Sequence, residues 1–119
     1  MGAIRGAICA ENTVEDISRK AVELVSEIVA RNNVQSDDIQ AIIFSATEDL
    51  NACYPAKSVR ETLNLPNVAF MCLAEMKVNN SLSHCLRVCV LVDGMPQKAC
   101  KHCYLGEASV LRADLKEGR

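Results

Sequence analysis

The run Cys85-Leu86-Arg87-Val88-Cys89-Val90-Leu91-Val92 is what most constrains the folding of this chain. It is short, rich in β-branched residues and stopped by the turn signal Asp93-Gly94-Met95-Pro96, so it reads as a buried strand. Arg87 sits inside it with apolar neighbours on both sides. A guanidinium in such a place is costly unless paired, so it needs a carboxylate partner or an anionic ligand. A second apolar segment, Val68 to Met76, also reads as buried and has Glu75 as its only ionisable carboxylate. The residues alone leave two readings open: a structural Glu75–Arg87 ion pair, or a site that receives a ligand.

Other elements follow from periodicity. Met1 to Cys9 reads as a first strand, with Gly6 beside Arg5 permitting close backbone approach by another segment. Thr13 and Asp16 have the spacing of a capping box, and Val14, Ile17, Ala21, Leu24, Val25 and Ile28 follow as a helical stripe ending at Asn32-Asn33. Ile39 to Ser45 is a second, central strand. Pro55 opens a short helix from Ala56 to Leu63, where Lys57 and Arg60 share a face. By itself that pair is an ordinary solvated face. Val68 starts the third strand, and the fourth carries Arg87. A turn of helix over Gln97 to Cys100 precedes two short strands, Lys101 to Leu105 and Ala108 to Leu111. The sum is an α+β fold, a mixed sheet packed with one long and one short helix, in a single domain over 1–119.

Composition excludes several classes. A net charge of −2 gives no general attraction to nucleic acid or anionic membrane. No apolar run reaches the length of a membrane span and no signal peptide is evident, so the chain is expected to be soluble and cytoplasmic. With no Trp and four aromatics (Phe44, Tyr54, Phe70, Tyr104), the core must be aliphatic. Seven cysteines, an odd number mostly set in apolar stretches, look like reduced thiols acting as small core residues. Cys100-Lys101-His102-Cys103 is a lone C-x-x-C, and strand alternation puts Cys85 and Cys89 on one face. A metal or redox module built on these is a third-ranked reading, since one pair specifies little.

Three stretches together resemble the monofunctional chorismate mutases of the AroH class. They are Ile4-Arg5-Gly6-Ala7; Ser45-Ala46-Thr47 continuing to Tyr54-Pro55-Ala56-Lys57-Ser58-Val59-Arg60-Glu61; and Cys72 to Met76 with Cys85-Leu86-Arg87-Val88. The ending His102-Cys103-Tyr104-Leu105, then Val110-Leu111-Arg112-Ala113-Asp114, fits as well. P-A-K-x-x-R-E combined with C-x-x-E-M and two flanking arginine motifs is specific, whereas any one alone is weak.

The resemblance implies conversion of chorismate to prephenate, on the route to phenylalanine and tyrosine. In that pericyclic isomerisation one C–O bond breaks as a C–C bond forms, without nucleophile, proton transfer, metal or organic cofactor. A protein can contribute a compact substrate conformation and stabilisation of developing charge. By the same resemblance Arg87 would sit at the ether oxygen, Glu75 at the ring hydroxyl, and Arg5 at a substrate carboxylate with Tyr104 donating nearby. Cys72 would line the ring pocket as a thiol. Tyr54, Ala56, Lys57, Arg60, Leu111 and Arg112 would line or close the pocket from the other side. The class is a pseudo-α/β-barrel homotrimer with sites between subunits, so those last residues would come from the neighbouring chain. Tyr54 stands where Phe is common, Phe70-Met71 and Ile8-Cys9 depart from the usual pairs, and Ala113 replaces a common Pro. The alternative is a YjgF-like trimeric domain that binds small acids without mutase activity.

Overall fold

The computed structural model describes residues 1–111. Five strands form one mixed sheet: β1 (Gly2–Cys9), β2 (Ile39–Ala46), β3 (Ala69–Ala74), β4 (Cys85–Val92) and β5 (Cys103–Tyr104), in the order β3-β2-β4-β1-β5. β4 is antiparallel to both neighbours, while β2–β3 and β1–β5 are parallel. Helices α1 (Val14–Asn32) and α2 (Ala56–Thr62) make the parallel crossovers that strands of like direction require.

Alternation in β4 is complete. Leu86, Val88, Val90 and Val92 are buried, and they meet Ile4 and Ile8 of β1, Ile42 and Phe44 of β2, and the α1 stripe in one aliphatic core. A bulge between Ile39 and Ala41 changes the parity of β2, so that Ile39 and Ile42 both face this core. α1 starts at Thr13, whose hydroxyl accepts from the Asp16 amide, and ends at Asn33 in the left-handed conformation (φ 51°, ψ 45°). Asp16 completes only part of a capping box: its carboxylate accepts from the Glu11 amide (2.7 Å) rather than from the cap residue.

Three expectations are corrected. The segment from Val68 is not a buried strand: β3 lies at the sheet edge, with Met71 57% and Leu73 50% exposed, and Glu75 lies just beyond its end. Its apolar composition thus leaves apolar side chains at the surface of the chain. Strand pairing after Lys101 is confined to Cys103–Tyr104, because side chains complete the rest of that edge. The stretch expected as a strand from Ala108 is a 3-10 turn, Gly106–Val110, entered through Gly106 at φ 56°. That turn folds across the sheet face opposite the helices, and Ala108 packs with Ala7, Cys85 and Tyr104 in a second small core.

Gly6 marks the closest backbone approach. A Cβ there would lie 2.7 Å from the Cys103 carbonyl oxygen and 3.0 Å from a methyl of Ile28. No described helix is long and apolar enough to cross a membrane.

Candidate active site

One row of register partners crosses the sheet: Tyr104 on β5, Ala7 on β1, Arg87 on β4, Ser45 on β2 and Leu73 on β3. Paired residues project to the same face, here the face away from the helices. Ala7, between Arg87 and Tyr104, is fully buried and packs with Tyr104 and Ala108. Burial raises the Tyr104 phenol above its ordinary range, with the positive charges of Arg5 and Arg87 acting against it. Tyr104 therefore remains a neutral donor at physiological pH.

Glu75 is fixed by three contacts. Its amide continues the parallel ladder to the Ala46 carbonyl (2.9 Å), and its Oε1 accepts from the Ser45 hydroxyl (2.6 Å). Its Oε2 is 2.9 Å from Nε of Arg87, the register partner of Ser45. The ion pair is close but poorly aligned, so Nε is a buried donor with no hydrogen-bond partner among the described residues. Charge attraction is present, yet the directional requirement of the N–H is unmet.

Arg5 stands two residues before Ala7, exposed and opposite Cys89. Its amide donates to Nδ1 of His102 (2.9 Å), which fixes that imidazole as the neutral Nε2–H tautomer. Burial, helped by the Arg5 charge, holds the His102 pKa below its ordinary value.

Arg5, Glu75, Arg87 and Tyr104 thus share one side of the sheet. Leu111 packs against the Ala7–Tyr104 cluster, on the same side of the sheet as this group. Tyr54, Lys57 and Cys72 line a different place, an open cleft of about 740 Å³ beside β3 and the start of α2. Tyr54 is 79% exposed, so its extra hydroxyl is met by water. Ala56 is buried and its amide hydrogen-bonds Cys72, whose thiol is raised above its usual value by burial and carries no thiolate. Arg60 is exposed on α2. No described contact joins this second group to Arg87, and Arg112 lies outside the described residues.

Ser45 and His102 were not singled out from sequence, although both lie in the quoted motifs. Strand parity could have placed Ser45, because it is two residues from Ile43 and pairs with Arg87. A third feature is a clamp at the start of β4. Asp49 accepts from the Thr47 hydroxyl and from the His84 amide (3.0 Å), and the Cys85 amide donates to Thr47 (3.0 Å). Among the described residues no group of three His, Cys, Asp or Glu side chains is placed to hold a metal ion. In the C-x-x-C, Cys103 is in the main core, and Cys100 packs against that core and donates to the Pro96 carbonyl.

Residues 1–115 match the chorismate mutase type I family. Chorismate mutase AroH from Bacillus subtilis (strain 168) is 40% identical over 114 residues, covering 94% of this chain and 90% of that protein. Chorismate mutase AroH from Thermus thermophilus is 36% identical over 119 residues, covering 98% and 97%. A solved chorismate mutase from Clostridium thermocellum superposes with a TM-score of 0.87 at 37% identity, covering 92% of this chain and 99% of the other.

Proposed function

This chain belongs to the chorismate mutase type I family, and on that premise we propose that chorismate is rearranged against the Arg5, Glu75, Arg87 and Tyr104 face of its sheet. The isomerase reaction, chorismate to prephenate in aromatic amino-acid biosynthesis, is that of the family and of the AroH relatives. The YjgF-like small-acid reading finds no support among these matches.

The observation that carries the site is Arg87 itself, held at Nε by Glu75 (2.9 Å) while its side chain stays 37% exposed on the open face of the sheet. Glu75 takes up the Nε side of the guanidinium, and the remaining N–H groups of the fork are the donors a substrate oxygen would meet. As the C–O bond lengthens, negative charge grows on the ether oxygen, and a fixed guanidinium gains more there than in the ground state. Glu75, held by Ser45, takes the ring hydroxyl and faces the side of the ring that becomes electron-poor. Arg5 binds a carboxylate of the substrate, and Tyr104 donates to it. No proton needs to move, so none of these groups has to titrate during turnover.

In this reading the cleft of Tyr54, Lys57 and Cys72, with Ala56 and Arg60, forms the opposite wall of a site on the neighbouring subunit. A homotrimer of single-domain chains, acting in the cytoplasm without metal or organic cofactor, follows from it. The exposed Met71 and Leu73 supply an apolar surface for such an assembly.

Chorismate loss followed by ultraviolet absorbance, in buffer containing a chelator, tests the whole reading. Prephenate should form at an undiminished rate, and Glu75→Ala should nearly abolish it while leaving the circular dichroism spectrum intact. Near-parental turnover in that folded variant would sink the assigned roles.

A further inference from the structure

The β5 side of β1 is only partly covered by a strand. β5 pairs with Gly6 and Ala7 alone, and the Leu105 amide adds one bond to the Ala7 carbonyl (2.9 Å). Beyond that point side chains take over. Gln97 accepts from the Ala3 amide (2.7 Å) and donates to the Ala3 carbonyl (2.9 Å), as a strand residue would. Between them the Arg5 amide has the imidazole of His102.

We propose that His102 is a positioning residue for Arg5, its Nδ1 standing where a strand carbonyl would and fixing the backbone from which the Arg5 guanidinium reaches the substrate carboxylate. The inference rests on the substrate role given to Arg5 above. Only the neutral ring with its proton on Nε2 has a lone pair at Nδ1, and an imidazolium has no acceptor at all. Burial and the Arg5 charge both favour that neutral form. The support is itself anchored: Asn32 at the end of α1 accepts from the Lys101 amide (2.7 Å) and donates to the Lys101 carbonyl (3.0 Å) and to Ile28 (2.9 Å). The path runs from α1 through Lys101 and His102 to Arg5. Arg5 gains little from its own packing, since it is exposed and the next residue, Gly6, has no side chain. Small errors of placement at a group that orients substrate are costly in rate and affinity.

Two substitutions separate aim from bulk. In His102→Asn the amide oxygen falls near the position of Nδ1 and can accept from Arg5, whereas in His102→Gln the amide lies near Nε2. His102→Gln should raise KM roughly tenfold with kcat within about twofold, the scale of one lost hydrogen bond. His102→Asn should return KM close to the parent value. Hydrogen exchange at the Arg5 amide should be fast in the Gln variant and slow in the Asn variant. A purely structural histidine would lower the melting temperature of both variants and leave KM in place. A parental KM in folded His102→Gln, with KM raised in Arg5→Ala, would overturn the positioning role while leaving the site reading intact. An unchanged KM in Arg5→Ala would overturn the site reading at Arg5 and this inference with it. Nitrogen chemical shifts of the unsubstituted protein give a check that needs no variant: a proton found on Nδ1 of His102 would also overturn it.

Discussion

A guanidinium carries five N–H groups in a rigid fork, and one carboxylate at its edge cannot satisfy them all. Arg87 shows the consequence: Glu75 neutralises it at 2.9 Å, yet Nε has no aligned acceptor. The two readings left open by the sequence are therefore not exclusive, because the ion pair exists and still has donor capacity for a ligand. Charge alone would then be a poor substitute for the fork. Arg87→Lys keeps the positive charge but loses the planar donors, so kcat should fall by about 10²–10³, near the loss expected when a transition-state donor is removed. Steady-state kinetics on chorismate check this, and a lysine variant within about threefold of the parent would show that charge suffices. Ser45 makes a smaller claim. Its hydroxyl holds Oε1 of Glu75 at 2.6 Å, and Ser45→Ala should lower kcat/KM by about tenfold, the worth of one charge-assisted hydrogen bond. Ser45→Thr retains a hydroxyl and should recover most of that loss.

At the scale of elements, the β1–β5 junction depends on a missing side chain. A Cβ at position 6 would meet the Cys103 carbonyl at 2.7 Å, and a backbone oxygen can withdraw only by parting β5 from β1. Gly6→Ala should therefore destabilise by about 1–3 kcal/mol, read as a lower urea midpoint with unchanged slope. Two carboxylates tie other elements together. The Glu11 amide, then Arg19, depresses the Asp16 pKa, and the Thr47 hydroxyl, with the His84 amide, depresses that of Asp49. A depressed folded pKa gives stability that is complete above the unfolded value of about 3.9 and is lost as pH falls through the lower folded value. The urea midpoint should drop on acidification below about pH 4, and less steeply in Asp49→Asn. β4, β2 and α1 were legible in the sequence because a buried face imposes its period on the residues. So was Gly6, where only close approach explains a glycine inside a strand. What remained hidden was the edge of β1, which His102 and Gln97 complete through side-chain geometry that no periodicity encodes. The 3-10 turn after Gly106 was hidden too, since its single buried residue, Ala108, makes no pattern.

At the scale of the molecule, the described residues form a slab of 36 × 35 × 20 Å, a sheet with α1 and α2 packed on the same side. The other face, toward the β3 edge, shows Met71 and Leu73 at least half uncovered although both sit in a strand of apolar sequence. That mismatch makes an edge strand read as a buried one, and it fits a surface covered by further copies of the chain. The site residues divide in the same way, Arg87 and its neighbours on the open face, Tyr54, Lys57 and Arg60 elsewhere. If two chains complete each site, Leu73→Asp should give a folded, smaller species by analytical ultracentrifugation, with turnover lost in proportion to the trimer. Complementation tests the sharing more directly. Arg87→Ala and Arg60→Ala chains should each be nearly inactive as pure trimers. Unfolded together in equal amounts and refolded, they should form mixed rings in which a site takes its Arg87 from one chain and its Arg60 from the next. The chance that both are intact is one half times one half, so about a quarter of parental activity should return. A site contained within one chain would recover nothing on mixing, because every chain in the mixture would still carry one defect.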